Sequence, residues 1–384
     1  MITGKGLRLT FLFFGLFFLV SMLTASEPEQ QEQHSTPAEH HNEDNEPFDP
    51  SSFMFGHISD GYDWHLFDIG HKSISIPLPV IVYSREKGLN VFMSSKFHHG
   101  HAAYKGFHIA HAGETVKKIN KEGEASESDV EGKIVETLNS GELAVPIDIS
   151  VTKNIAALFF SVLLILFMFL SVAKAYKRNP NKAPKGLQSW LEPVILFVRD
   201  EIAIPSIGKK NYHKFLPYLL TVFFFIWINN LLGLIPIPPG GANVTGNIAV
   251  TMVLAFFTFL ITTIRGTKSY WQHIFNTPGV PLWLKLPIPL MPLVEVIGVF
   301  AKPIVLMVRL FANITAGHII AMGFLSLIFI FAEINPYLGG GVSIVSIAFI
   351  IFMTFLELLV AFIQAYVFTF LSAIYFGMAV EEHH

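Results

Sequence analysis

The chain has 384 residues, of which 52% are hydrophobic and only 14% carry a charge, and its formal net charge is −3. Soluble domains carry about 25% charged residues, so this composition predicts an integral membrane protein. The small net charge offers no basic surface for nucleic acid, which is bound through clustered lysine and arginine. Because the chain has no cysteine, disulfides, thiolate nucleophiles and cysteine-based zinc sites are excluded.

Residues 1–25 have the pattern of a signal peptide. Lys5 and Arg8 precede an apolar run at 9–20, and small and polar residues follow it. The run is shorter than the ~20 residues of a spanning helix, and cleavage is expected near Ala25. Retention as a short anchor is the alternative. In both cases the segment that follows is predicted to be exported.

Two segments of different composition come next. Residues 26–47 are rich in Glu, Gln, His, Pro and Asn, and they predict a disordered linker because they can bury little apolar surface. Residues 48–150 regain aromatic and β-branched side chains, with an alternating pattern at 73–82. This pattern is typical of strands, so we expect an exported N-terminal extension with β structure.

Eight histidines of this extension raise the possibility of a metal site. They are His57, His65, His71, His98, His99, His101, His108 and His111. Metal ligands need defined, convergent spacing, and no H-x-x-x-H pair with an acidic partner occurs here. Surface histidines are the favoured interpretation and metal binding the open alternative, so no metal or other cofactor is predicted.

Residues 151–384 are predicted to form a membrane domain with five crossings. The apolar runs are 155–172, 215–235, 248–264, 288–331 and 342–379. Basic residues cluster at 174–185, after the first run, and the positive-inside rule places them in the cytoplasm. The N-terminus is therefore expected in the periplasm and the C-terminus in the cytoplasm of a bacterial inner membrane. Residues 187–204 are too polar to span and are predicted to lie amphipathically on the interface.

The last two runs are unusually long. Asn335, Pro336 and the glycines 339–341 separate them and predict a turn. A helix of forty residues rises roughly 60 Å, twice the ~30 Å hydrocarbon core. The predicted fold is an all-α integral membrane protein with five crossing helices, the last two long and tilted, plus the exported extension.

Charged residues occur inside these long runs. Glu295, Lys302 and Arg309 are spaced by seven and share one helix face, with Asn313 on the same side and His318 roughly opposite. In the membrane each charge costs ~2.5–3.5 kcal/mol, so several together indicate an ion path. The alternative is that they snorkel or only hold helices together.

The final run carries Glu357 and Gln364, again seven residues apart on one face. Arg309 stays protonated and suits a permanent positive barrier. Glu357, Glu295 and His318 are the side chains that can titrate and carry protons.

The residues around Arg309 resemble a known family. The motif is Arg309-Leu310-Phe311-Ala312-Asn313 followed by Thr315-Ala316-Gly317-His318, with Glu295, Lys302-Pro303, Asn229-Asn230-Leu231 and Gln364 in support. From about residue 155 to 384 the chain closely resembles the a subunit of bacterial F-type ATP synthases. The resemblance implies that Arg309 faces a ring of c subunits between two aqueous half-channels.

The resemblance also implies roles for the other polar residues. His318 and Glu357 would form the half-channel that opens to the exported side, with Asn313 and Gln364 near Arg309. Glu295 would release protons to the cytoplasm. Many family members carry an acidic residue in the third span where this chain has Asn243 or Asn247, which are the candidates for the entry path. The c-ring, the b subunits of the peripheral stalk and other ATP synthase subunits are the implied partners, beside membrane lipid.

Two other functions remain as alternatives. A self-contained ion-coupled secondary transporter would also bury Arg and Glu, although no inverted repeat is visible. A sensor with a histidine-rich exported domain is the second, although five crossings exceed the needs of an anchor. The chain has no G-x-x-x-x-G-K-[ST] phosphate loop, so it is expected not to be catalytic by itself. Protons and sodium fit the pattern equally.

Overall fold

The computed structural model describes residues 50–51, 54, 60–69, 72–100, 102–111, 113–119, 125–138, 142–178, 183–235, 238–275 and 290–381. The predicted signal peptide, 1–25, and the predicted linker, 26–47, lie outside these ranges. The described chain forms two compact units. One holds the β-strands, the start of the first long helix to Ala157 and the segment Ile235–Ala242, and the other holds the remaining helices.

Short antiparallel strands make up the first unit. They are β1 (Asp63–Ile69), β2 (Lys72–Pro77), β3 (Pro79–Ser84), β4 (Gly88–Met93), β5 (Phe107–Ile109), β6 (Thr115–Ile119), β7 (Ala125–Asp129), β8 (Ile134–Thr137), β9 (Leu143–Ala144) and β10 (Ile147–Asp148). The described strands pair as β1-β2, β10-β3-β4, β5-β8-β9 and β6-β7. Alternation along β3 buries Val80 and Val82 against Phe97 and Phe107. The predicted β structure is confirmed, and residues 60–150 are called the β domain below.

The helices of the second part of the chain begin directly after β10, and the β domain itself contains a 3-10 helix at Ser94–Gly100. They are α1 (Lys153–Arg178), α2 (Leu187–Phe197), α3 (Ile204–Ile207), α4 (Tyr212–Gly233), α5 (Ile248–Arg265), α6 (Lys268–Phe275), α7 (Leu290–Ile334) and α8 (Pro336–Val380), with a π-helical turn at Val198–Ala203 between α2 and α3. Within the described ranges, five helices are long and apolar enough to cross a membrane: α1, α4, α5, α7 and α8. The five predicted crossings are confirmed.

The two longest helices, α7 and α8, have 45 residues each. At 1.5 Å per residue each is about 68 Å long, more than twice the ~30 Å hydrocarbon core. They fold back on one another, and α8 also packs on α4 and α5. On α4, Leu219, Val222 and Phe223 are fully buried. These contacts place α4 and the C-terminal half of α8, where most of its buried residues lie, at the centre of the helical unit.

The turn between α7 and α8 differs from the prediction. Only Asn335 separates the helices, and its side-chain oxygen accepts a hydrogen bond from the Tyr337 backbone N–H at 2.9 Å, which caps α8 ahead of Pro336. The expected glycine turn is therefore wrong, because glycines 339–341 lie inside α8. A Cβ at Gly339 would approach the Ala332 Cα to 2.7 Å. Gly339 therefore allows α7 and α8 to pack closely at Ala332.

The start of α1 is held by the β domain, within the same unit. The Lys153 backbone N–H donates to the Gly61 carbonyl at 2.8 Å, and the Asn154 N–H donates to Asp60 Oδ1 at 3.0 Å. Asp60 thus satisfies a free N–H of the first helical turn. Burial raises the pKa of Asp60, while the hydrogen bond from Asn154 acts in the opposite direction.

Candidate ion-translocation site

Arg309 stands on the outer surface of the helical unit. It lies near the middle of α7 and is exposed, as is Asn313 one turn later. Leu306 and Leu310, on the inner side of the helix, are each 1% exposed, whereas Val308 is 46% exposed. Among the described residues no carboxylate forms an ion pair with Arg309. The guanidinium therefore lies on a largely apolar outer face, which also exposes Ile304, Val305 and Val308.

Glu357 faces α7 beside the predicted histidine. A Cβ on Gly317 would lie 2.8 Å from Glu357 Oε1, and His318 is the next residue. Glu357 Oε1 is shielded from solvent and accepts no hydrogen bond from the described residues, and Thr315 Oγ1 is similarly buried without a partner. The structure brings Glu357 to the stretch of α7 that contains His318. Two buried polar atoms without partners make this a place where water or a proton would be accommodated.

Gln364 is buried on α8, at 5% exposure. One turn earlier, the Ala361 carbonyl accepts a hydrogen bond from Asn230 Nδ2 of α4 at 3.2 Å. Asn230 Oδ1 in turn accepts from the Thr245 hydroxyl at 2.6 Å. Asn230 therefore joins α4, α8 and the segment before α5, between Glu357 and Gln364.

Asn243 and Asn247, the predicted entry residues, lie at the N-terminal end of α5. Asn243 is 8% exposed, its Oδ1 accepts from the Gly246 backbone N–H at 3.0 Å, and its Nδ2 is buried without a partner among the described residues. Asn247 caps α5, since its Oδ1 accepts from the Ala249 backbone N–H at 2.9 Å. The Asn243 side-chain amide is thus a buried polar group that is free to contact a proton or water. Asn247 instead stabilises the N-terminal end of α5.

Glu295 and Lys302 lie in the first part of α7, away from Gly317 along the helix. The Lys302 ammonium is 5.6 Å from the centre of the Tyr375 ring. Lys302 and Tyr375 line a cavity of about 20 Å³, enough for one water, together with Thr258, Thr262 and Tyr270. Burial raises the pKa of the Tyr270 hydroxyl, and the negative charge of Glu295 raises it further. A water-sized space bordered by both polar and apolar side chains therefore lies beside Tyr270, whose hydroxyl is within reach of the charge of Glu295.

Several of these residues were not predicted to have a role. Asn230 was only part of the family motif, and the short α6, which carries Tyr270, was not predicted at all. Gly317 also belonged only to the motif, although a glycine next to a histidine in the middle of a long helix is a signal for close approach. The partners of Asn230 and Tyr270 depend on tertiary packing, which no spacing in the chain reveals.

The described histidines of the β domain do not form a cluster. His98 and His111 are exposed. His108 Nε2 lies 3.1 Å from Glu114 Oε2. Within the part of the chain that the structure describes, no three His, Asp or Glu side chains converge as metal ligands would. Metal binding at His57, His71 and His101 falls outside the described residues.

The fold and these residues define a class: a multi-pass membrane protein with a permanent cation on the face of a long helix and titratable groups between its last two helices. The family model for the ATP synthase A chain matches residues 155–377. The chain belongs to the ATP synthase A chain family, and it is a multi-pass protein of the bacterial inner membrane. A second model, for a domain of unknown function (DUF8433), matches residues 53–145.

Curated relatives carry the same family name. The chain is 45% identical over 241 residues to ATP synthase subunit a 2 of Chlorobaculum tepidum, which covers 61% of this chain and 64% of that protein. It is 43% identical over 244 residues to ATP synthase subunit a of Chloroherpeton thalassium, covering 62% and 69%. A third relative, from Anaeromyxobacter, is 40% identical over 270 residues, covering 67% and 61%. The chain thus spans about two thirds of the length of these relatives.

Proposed function

We propose that this protein is the proton-translocating stator subunit of an F-type ATP synthase and couples proton flow to rotation of a c-ring. In this role it binds no nucleotide and is not catalytic by itself. Its partners are the c-ring, the b subunits of the peripheral stalk and the other subunits of the complex. The N-terminus lies in the periplasm and the C-terminus in the cytoplasm.

The exposed position of Arg309 carries this proposal. A charge at mid-membrane costs ~2.5–3.5 kcal/mol on the insertion scale, so an arginine on an apolar outer face needs a partner with a carboxylate. Arginine keeps its proton at any relevant pH. Facing a ring of membrane carboxylates, Arg309 holds each one ionised as it passes and repels protons that would otherwise cross directly. Asn313, exposed one turn later, contacts the same ring surface.

Two groups of polar residues then serve as half-channels. Glu357 and His318, with Asn243 as the entry candidate and Gln364 toward Arg309, carry protons from the exported side. Glu295 releases them toward the cytoplasm, next to the cavity bordered by Lys302. Proton transfer between these groups goes through the ring carboxylate, because Arg309 lies between the two paths.

Proton uptake by inverted membrane vesicles, driven by ATP hydrolysis, tests this function. We expect Arg309→Ala and Arg309→Lys complexes to assemble and to lose nearly all pumping, since lysine is a compact cation without the planar guanidinium. Glu357→Gln should reduce pumping. Val308→Ala, at a neighbouring position that is also exposed on the same helix, is the matched control and should pump normally. Assembly is checked by co-purification of the ring.

Normal pumping by assembled Arg309→Ala would overturn the proposal. The alternative, a self-contained secondary transporter, makes the opposite prediction for the isolated protein. Reconstituted alone in liposomes, it would catalyse ion-coupled transport without a ring, whereas a stator subunit would not. Parallel vesicles in sodium-free and sodium-containing buffer identify the transported ion.

A further inference from the structure

Trp64 links two parts of the chain that are far apart in sequence. It lies on β1, paired with Ile76 of β2, and only 8% of the residue is exposed. Its indole Nε1–H donates a hydrogen bond at 3.1 Å to the carbonyl of Gly240, 176 residues later. Buried indole N–H groups usually find a partner, and here that partner belongs to the connection between α4 and α5.

The connection packs with the β domain. Ile235–Ala242 belongs to the same compact unit as the strands. Ala242 is 2% exposed although it lies in a loop. Connecting loops normally run over the surface with exposed backbone, so a loop that ends on a buried alanine is held by its surroundings. The contact with the β domain is the hydrogen bond from Trp64 to Gly240.

The same domain is also fixed to the start of α1. Besides the hydrogen bonds that Gly61 and Asp60 accept from the first turn of α1, the Val151 backbone N–H donates to the Pro79 carbonyl of β3 at 3.0 Å. Within its own compact unit the domain therefore has two attachments to other segments of the chain. One is at the beginning of α1, and the other is at the loop that leads into α5.

We propose that the β domain is an intramolecular clamp on the α4–α5 loop and that Trp64 is its positioning residue. Gly240 precedes Asn243 by three residues and the α5 cap Asn247 by seven. Holding the Gly240 carbonyl fixes the end of the loop and hence the point at which the buried Asn243 amide begins the entry path. This inference rests on the proposed function, and it assigns to a domain of unknown function a role in shaping the exported mouth of the proton path.

Hydrogen exchange of the assembled complex tests the physical part of the clamp. Trp64→Phe keeps an aromatic ring but removes the N–H and leaves the Gly240 carbonyl without its donor. We expect exchange of the backbone amides of residues 240–243, which follow Pro238 and Pro239, to become roughly tenfold faster, as for the loss of one buried hydrogen bond. Tyr62→Phe is the matched control. It removes a hydrogen bond of the same domain, from the Tyr62 hydroxyl to Asp148 Oδ2 at 2.6 Å, without touching the loop.

The functional part is tested by ATP synthesis in proteoliposomes at varied proton concentration on the exported side. We expect Trp64→Phe to raise the proton concentration for half-maximal rate by about threefold, as for a modest coupling between sites, with the maximal rate largely unchanged. Tyr62→Phe should leave both values unchanged.

Each result decides for or against the clamp. Unchanged loop exchange in Trp64→Phe, or an equal rise in Tyr62→Phe, overturns it, and so does faster exchange with an unaltered half-maximal proton concentration. If only the clamp is wrong, the Arg309 variants still fail to pump protons. If the proposed function is wrong, the assembled Arg309→Ala complex pumps normally. The two failures are therefore distinguishable.

Discussion

Gly317 of α7 lies directly against the carboxylate of Glu357 on α8, so closely that a Cβ on Gly317 would come within 2.8 Å of Glu357 Oε1. The missing side chain leaves room for a polar group between two long apolar helices. The geometry of the candidate proton path thus depends on a residue that carries no functional group. Substitutions that fill this space are the most direct probes of it.

Gly317→Ala should impair proton pumping without preventing assembly. The added methyl group displaces the Glu357 carboxylate, and a shift of about 1 Å at a reacting group can cost up to 100-fold in rate. We expect pumping to fall by about tenfold in the vesicle assay. Gly323→Ala, on the same helix but facing open space, should pump normally. Equal activity of the two variants would show that Glu357 is not confined by Gly317.

Asn230 and Thr245 should be energetically coupled. The Thr245 hydroxyl donates to Asn230 Oδ1, while Asn230 Nδ2 donates to Ala361. In a double-mutant cycle of Asn230→Leu and Thr245→Val, we expect an interaction free energy of about 0.6–1.7 kcal/mol, the range for polar contacts between membrane helices. Thermal denaturation of the purified complex supplies the values, provided that unfolding is reversible. Strict additivity of the two substitutions would argue that the bond contributes nothing.

Asp60 should make the attachment of α1 sensitive to pH. Burial raises its pKa above the value near 3.9 of an unfolded chain, so the folded state holds the proton more tightly. The stability contributed by this group is fully present below pH about 4 and is lost as the pH rises through the folded-state pKa. Amide exchange at 154–157 should therefore accelerate over that window beyond its intrinsic pH dependence.

Asp60→Asn should abolish this additional pH dependence, because asparagine keeps an oxygen that accepts from the Asn154 N–H and does not titrate. Glu86→Gln, at an exposed carboxylate between β3 and β4 of the same domain, is the control and should behave as the wild type. If the wild type and Asp60→Asn give parallel exchange profiles, Asp60 does not govern the start of α1.

The glycines at the start of α8 should differ sharply in tolerance. Gly339→Ala places a methyl group against Ala332, whereas a Cβ at Gly340 or Gly341 meets open space. We expect Gly339→Ala to destabilise the α7–α8 hairpin by roughly 1–3 kcal/mol, as for overpacking. Gly340→Ala should be neutral or stabilising by up to about 1 kcal/mol, because alanine favours helix. Melting temperatures of the complex would reveal the contrast, and similar values for both variants would contradict it.

The number of crossings and the polar face of α7 follow from the amino-acid sequence without further information. A helix must be long and apolar to cross the hydrocarbon core, so each crossing can be recognised in the sequence as a run of apolar residues. Residues seven apart share a helix face whatever surrounds the helix, which is why Glu295, Lys302 and Arg309 could be grouped. The motif around Arg309 indicates the family for a similar reason, because it is a continuous stretch of the chain.

Only the tertiary packing determines which polar groups contact one another. The local preference of glycine predicts a turn at 339–341. In the structure these residues are helical, and the missing side chain of Gly339 allows Ala332 of α7 to approach. Packing between the two helices therefore outweighs the turn preference of glycine. Asn230 finds Ala361 and Thr245, and Trp64 finds Gly240, across separations of 15 to 176 residues. Such contacts depend on which surfaces pack, and periodicity within one segment carries no information about the partner.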